Sequence, residues 1–199
     1  MKNMKIISLT PGNFQNAVRT AAEIIQSGGA IIAPTDTVYG LLADASDKKA
    51  IEKVFAIKNR PKEKPLPIFV KNMAMARRLA KISPWQEKFL EEKWPGKFTA
   101  RLNRKSSIKL FGVEKDTIAL RIPFHSFINS LLEALNLPLC GTSANISGHR
   151  RASGNIDEVL MQFRGKSNLP DLTINAGDLP QSNSSTIADL TQIPPKIIR

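Results

Sequence analysis

Three polar segments of this chain hold side chains of types and spacing suited to small-ligand chemistry. The first is Pro34-Thr35-Asp36-Thr37-Val38-Tyr39-Gly40-Leu41, directly after the apolar run 30–33. Two hydroxyls and a carboxylate where a strand opens into a turn can hydrogen-bond a polar ligand; the same residues can form a turn that satisfies its own backbone. The second is Lys58-Asn59-Arg60-Pro61-Lys62-Glu63-Lys64-Pro65-Leu66, four cations within seven residues on a proline-stiffened segment. Cations on a preorganised loop make a clamp for phosphates, with arginine able to bind bidentately; a solvated charge run is the plainer reading. The third is Pro138-Leu139-Cys140-Gly141-Thr142-Ser143-Ala144-Asn145-Ile146-Ser147-Gly148, a strand-like run opening into a hydroxyl-rich loop. Backbone amides in such a loop can form an anion-binding nest, and Thr142, Ser143, Asn145 and Ser147 add neutral donors.

Other chemistries fit poorly. The third segment is neither a G-x-x-x-x-G-K-[ST] phosphate loop nor a G-x-S-x-G nucleophile elbow. The chain has two histidines, His125 and His149, which argues against a Ser-His-Asp hydrolase or a histidine-ligated metal enzyme. Its single cysteine, Cys140, excludes an internal disulfide framework and a cysteine-rich zinc site, and reads as a packed strand residue. Net charge is +12, and residues 48–109, with 18 basic and 5 acidic side chains, hold the whole excess. Such asymmetry suits a polyanion, nucleic acid or nucleotide phosphate, although it also serves solubility. No apolar run is long enough to span a bilayer and no secretory segment opens the chain, so a soluble cytoplasmic protein is expected.

Positioning these segments requires an alternation of strands and helices. Strands are expected at 5–9, 30–33, 67–70, 98–102, 117–122, 138–141, 172–175 and 186–190. Helical spacing of apolar residues marks 14–27, capped by Asn13 and ended by Gly28-Gly29, and 48–58, capped by Asp47. Further helices are expected at 73–82, 84–93, 126–135 and 156–164. Trp94 reads as core. Interleaving of this kind, without repeats or a linker, predicts one α/β domain with a mixed sheet.

Six segments taken together resemble the YrdC-type family, the threonylcarbamoyl-AMP synthases. The family pattern P-T-[DE]-T-V-Y-G-L is similar to 34–41, K-x-R-P-x-x-K-P-L to 58–66, and W-P-G-x-x-T to 94–99. V-A-[VL]-R-x-P is similar to 118–123, S-A-N-x-S-G to 143–148, and S-T-[IV]-x-D to 185–189. The resemblance covers nearly the whole chain. It implies one YrdC-like domain over 1–199, with no separate C-terminal domain, whose twisted mixed sheet and flanking helices surround a concave basic cavity. It further implies that L-threonine, bicarbonate or CO2, and ATP with Mg2+ give threonylcarbamoyl-AMP and pyrophosphate. Other proteins would then pass the threonylcarbamoyl group to tRNA, at the adenosine beside the anticodon.

The resemblance also implies residue roles. Lys58 and Arg60 would be catalytic and, with Lys64, Thr117, Ser143, Asn145 and Arg199, would bind ATP. Thr35, Arg121, Thr142 and Ser185 would bind threonine; for Arg121 a structural ion pair is the alternative. Two departures stand out: Phe69 occupies a position that is histidine in some relatives, and family chains usually continue through an arginine followed by Pro-Gly, where this chain stops at Arg199. Two rival readings remain, a non-catalytic tRNA or double-stranded-RNA binder using the basic surface within 48–109, and a carbamoyl-transfer enzyme of the same fold. The latter enzymes carry acylphosphatase and zinc-finger segments, for which 199 residues with one cysteine leave no room.

Overall fold

The structure is a computed structural model describing residues 4–148 and 152–199; His149 lies outside the described residues. In chain order it contains β1 (Lys5–Ser8), a 3-10 turn (Pro11–Asn13), α1 (Phe14–Gln26), β2 (Ile31–Ala33), β3 (Gly40–Asp44), α2 (Lys48–Lys58) and β4 (Ile68–Phe69). There follow α3 (Met73–Leu79), β5 (Ala80–Lys81), α4 (Pro84–Glu91), β6 (Phe98–Arg104), β7 (Thr117–Arg121), α5 (Ser126–Leu135) and β8 (Leu139–Ser143). The chain closes with α6 (Ile156–Phe163), β9 (Leu172–Asn175), β10 (Thr186–Asp189) and β11 (Lys196–Ile197).

All the strands belong to one sheet, in the order β1-β9-β2-β3-β8-β4-β7-β6-β10-β11, with β5 on β6. It is mixed. β1/β9, β2/β9, β4/β7 and β6/β10 run parallel, while β2/β3, β3/β8, β4/β8 and β6/β7 run antiparallel. One face is covered by α2, α3, α4 and α6, whose apolar residues meet Leu41, Ile68, Ala100, Leu102, Ile118 and Leu120 of the sheet. On the other face α1 and α5 pack together, with Phe14 edge-on to Phe127 at 6.0 Å, over Ile31, Leu42, Leu139 and Leu172. Because side chains alternate along a strand, β2, β3, β4 and β8 feed both cores.

The helix and strand expectations hold with shifted ends, and three strands were not anticipated. β3 carries Gly-Leu-Leu-Ala, buried on both faces, so it lacks the polar–apolar alternation that marks a half-exposed strand. α3 ends at Leu79 rather than near 82 because Ala80 and Lys81 pair with Arg104 and Asn103 of β6. β11 is an exposed two-residue strand paired with β10. Asp47 caps α2 as expected, its Oδ1 accepting from the amides of Lys49 (2.8 Å) and Ala50 (3.3 Å). Asn13 stands at the start of α1 but makes no side-chain cap to it: its amide donates to Ser8 O (2.7 Å) and its oxygen accepts from Thr10 N (2.9 Å), closing a capping box on the 3-10 turn and tying that turn to β1.

Candidate active site

α1 and α5 cover only the half of their sheet face made by β9, β2, β3 and β8. Beyond β4 the same face is bare of helix and floors a cavity of about 400 Å³. Thr99 and Arg101 of β6, Thr117, Ala119 and Arg121 of β7, and Ile187 of β10 face it, two residues apart along each strand. Phe69 of β4 marks the border, lining the cavity and also belonging to the core under α1 and α5. It fits because its neighbour is Gly141: a Cβ there would stand 2.7 Å from the Phe69 ring. The turn 34–39, the loop after α2, the end of β8, Ser185 and Arg199 complete the walls. The lining contains Arg60, Arg101, Arg121 and Arg199 against one carboxylate, Glu114.

Eight of the eleven residues singled out in the sequence meet here: Thr35, Arg60, Thr117, Arg121, Thr142, Ser143, Ser185 and Arg199. Thr35 is buried, donates to Val38 O (2.6 Å) and accepts from Thr37 N (3.1 Å), so the turn does satisfy itself while presenting its side to the cavity. Arg60 is fixed by its own loop, with Nε donating to Lys64 O (3.0 Å) and Nη2 to Pro65 O (2.9 Å). Arg121, 3 % exposed, donates from Nη2 to Asp36 Oδ1 (2.6 Å) and from Nε to Gly96 O (2.9 Å), and lies over the Phe69 ring at 5.6 Å. Burial pulls the Arg121 guanidinium below its ordinary value and Asp36 opposes this. The ion-pair alternative for Arg121 is thus realised, and the residue still lines the cavity. The Ser185 hydroxyl meets that of Thr99 at 3.1 Å. Arg199 exchanges backbone hydrogen bonds with Ile187 (2.9 and 3.3 Å), and its Nη2 donates to Ser185 O (3.4 Å).

Lys58, Lys64 and Asn145 do not line the cavity. Lys58 lies inside the protein, 1 % exposed, where its amine donates to Ser143 O (2.5 Å), Asn145 O (2.8 Å) and Asn145 Oδ1 (3.2 Å). It ties the C-terminus of α2 to the loop after β8. Burial, aided by the Arg60 charge, pulls this amine down to about 7. Asn145 sits behind Ser143, whose hydroxyl donates to its Oδ1 (2.6 Å). Lys64 is exposed and contributes its carbonyl to holding Arg60. Cys140 is fully buried and burial pushes its thiol up to about 12, which disqualifies it as a nucleophile. Trp94 is core, donating to Phe98 O (2.7 Å).

The sequence reading missed Arg101 and Glu114. Arg101 Nη2 meets Glu114 Oε2 at 2.6 Å, Nη1 meets Asp189 Oδ2 at 3.3 Å, and Nε donates to Thr117 Oγ1 at 3.1 Å. The Thr117 hydroxyl donates in turn to Glu114 Oε2. Period-2 spacing from Thr99 could have found Arg101, whereas nothing distinguishes Glu114 within Val113-Glu114-Lys115-Asp116. Among the described residues no group of three or more His, Cys, Asp or Glu side chains is placed to hold a metal ion, and no helix is long and apolar enough to cross a membrane.

The fold has counterparts among known proteins. The sequence model of the Sua5, YciO and YrdC family, described as telomere recombination, matches residues 23–199. A threonylcarbamoyl-AMP synthase of Pyrococcus abyssi is 34 % identical over 184 residues, covering 92 % of this chain and 53 % of that protein. The crystal structure of P. abyssi Sua5 complexed with L-threonine superposes with a TM-score of 0.85 at 32 % identity, covering 99 % of this chain and 57 % of that one. E. coli YciO superposes with a TM-score of 0.84 at 26 % identity, covering 100 % of this chain and 95 % of that one. The chain therefore spans about half the length of the curated relative it matches. By its family match over 23–199 and its fold, the chain belongs to the Sua5/YciO/YrdC family.

Proposed function

We propose that this chain forms threonylcarbamoyl-AMP and pyrophosphate from L-threonine, bicarbonate or CO2, and ATP. The observation that carries the reading is the helix-free half of the sheet face, where buried Arg121, fixed Arg60 and the Ser143 hydroxyl converge on one cavity. An amino-acid carboxylate suits the Arg121 end, beside Thr35, Thr142 and Ser185. Phosphates suit Arg60, Ser143 and Arg199, with Lys58 and Asn145 acting from behind by holding the 143–145 backbone. The threonine amine takes up CO2 to give a carbamate. A carbamate oxygen then attacks the α-phosphorus, and the bond to pyrophosphate breaks. No protein nucleophile is required; positioning and neutralisation of phosphate charge supply the catalysis. Mg2+ would arrive with the nucleotide and would neutralise phosphate charge alongside Arg60.

The product is an activated acyl group, which partner proteins would transfer to tRNA in the cytoplasm. Exposed Arg78 and Lys81, in and just after α3, belong to a basic face suited to RNA phosphates. The test is direct: the protein is incubated with ATP, labelled bicarbonate and each amino acid in turn, and labelled adenylate is sought. A threonine-dependent adenylate with release of pyrophosphate is expected. Its absence with every amino acid overturns the proposal.

A further inference from the structure

The cavity floor is not uniform along β7. Arg121 and Thr117 face the same way four residues apart, roughly 13 Å at the usual rise of a strand. At the Arg121 end the guanidinium is matched by one carboxylate, Asp36. At the Thr117 end the Arg101 guanidinium is shared by two carboxylates, Glu114 and Asp189, and Arg104 Nη1 donates to the Glu114 carbonyl (3.1 Å). That end therefore holds the one carboxylate in a cavity otherwise lined by arginines. Glu114 reaches the cavity while Asp189 is not part of its lining.

The Glu114 carboxylate has room for a ligand. Its Oε2 takes the hydrogen bonds from Arg101 and Thr117, and among the described residues its Oε1 has no partner. The side chain is 39 % exposed. The Thr117 hydroxyl and Arg101 hold this carboxyl below the usual carboxylate range, so it is ionised at neutral pH and can only accept. A carboxylate oxygen that only accepts disfavours a phosphate oxygen and selects a hydrogen-bond donor. Within a nucleoside triphosphate the densest pair of neutral donors is the ribose cis-diol. The edge of the adenine ring alternates a donor with an acceptor, and a carboxylate satisfies only half of it.

We propose that Glu114 is a specificity-determining residue that accepts hydrogen bonds from the ribose 2′- and 3′-hydroxyls, so that the site requires a ribonucleotide. This rests on the reading of the cavity as an ATP site and adds its orientation: sugar over Thr117 and Ala119, phosphates turned away from Glu114.

The experiment measures binding of ATP, 2′-deoxy-ATP and 3′-deoxy-ATP by titration calorimetry to the wild type, Glu114→Gln and Glu114→Ala. Threonine- and bicarbonate-dependent pyrophosphate release is followed in the same samples. The wild type is expected to bind ATP about 10- to 100-fold more tightly than either deoxynucleotide, the range for hydrogen bonds to a charged group. In both variants that ratio should fall to within about threefold of one, through weaker ATP binding. Should the neutral variants fail to fold, Glu114→Asp keeps the charge beside Arg101 but withdraws the carboxylate by one methylene, and the same collapse of the ratio is expected. An unchanged ratio in folded variants, or no preference in the wild type, overturns the assignment of Glu114 while pyrophosphate release keeps the ATP reading intact. A wild type that binds none of the three overturns both.

Discussion

At the scale of single residues, three side chains do distinguishable work. Arg60 is presented to the cavity by its own loop, so Arg60→Ala removes a charge from the cavity together with two hydrogen bonds inside that loop. By analogy with other charge-stabilising donors the lost charge is worth about 2–4 kcal/mol in the transition state, and adenylate formation should fall about 30- to 1000-fold in a chain that keeps its fold. Turnover near that of the wild type would remove Arg60 from the machinery. Asp36 is different, since it neutralises a buried guanidinium and also accepts from Phe124 N (3.1 Å). Breaking a buried pair on one side strands the other charge, so Asp36→Ala should cost about 3–5 kcal/mol in urea unfolding; a cost under 1 kcal/mol would mean that water reaches Arg121.

Lys58 gives a pH signature. The folded chain holds this proton only up to about 7, and the unfolded chain up to its ordinary value of 10.5. Between the two, unfolding takes up a proton, so raising the pH favours the folded state; below about 7 both states are protonated and the contribution is flat. Urea unfolding of the wild type at pH 7.5 and 9.5 should therefore show a larger gain with pH than Lys58→Met, and parallel behaviour of the two chains would contradict this.

At the scale of elements, the cavity exists because β4 and β8 meet closely where the helical cover stops. Phe69 lies against the Cα of Gly141, which joins the two strands at the border between core and site. Gly141→Ala forces the ring or the strand to shift and should destabilise the fold by about 1–3 kcal/mol, the usual cost of overpacking. Phe69→Leu in the same chain should recover part of that loss in a denaturant titration. No recovery would locate the strain in β8 itself. α2 plays the complementary part: capped by Asp47 and ended by Asn59 in the left-handed conformation (φ 48°), it delivers Lys58 to the inside of the protein and Arg60 to the cavity.

At the scale of the molecule, the basic excess divides into pairs and an exposed remainder. Lys48 lies 3.9 Å from Glu52, Lys53 contacts Asp171, and Arg77 contacts Glu87. Arg78, Lys81 and Lys88 are exposed on or beside α3 and α4. If this face binds tRNA through phosphates, log K should fall by about 0.7–0.9 per phosphate contacted for each tenfold rise in salt. Arg77→Glu/Arg78→Glu/Lys81→Glu should weaken binding and flatten that slope. No binding at low salt, or an unchanged slope in the triple variant, eliminates the face and leaves the adenylate chemistry untouched.

How much of this was legible beforehand follows the range of the interactions. Caps, breaks and clamps are local: Asp47 heads α2, Gly28-Gly29 follows α1, and the 58–66 segment bends back on Arg60 through residues four and five positions away. Segments of that length carry their own backbone chemistry, and six of them in order were enough to suggest the family. The pairings that make the site are long-range. Arg121 meets Asp36 across 85 positions, Lys58 meets Ser143 across 85, and Arg101 meets Asp189 across 88. No local spacing encodes them: Lys58 read as a phosphate ligand from its segment, with no hint that its amine bonds the 143–145 backbone, and Glu114 did not stand out at all. β3 escaped notice for a related reason, since a strand buried on both faces has no alternation to read. The sequence alone marked the short segments whose polar residues border the cavity; the sheet order, which brings β7, β6 and β10 side by side with one face free of helix among the described residues, decided which of their residues share it.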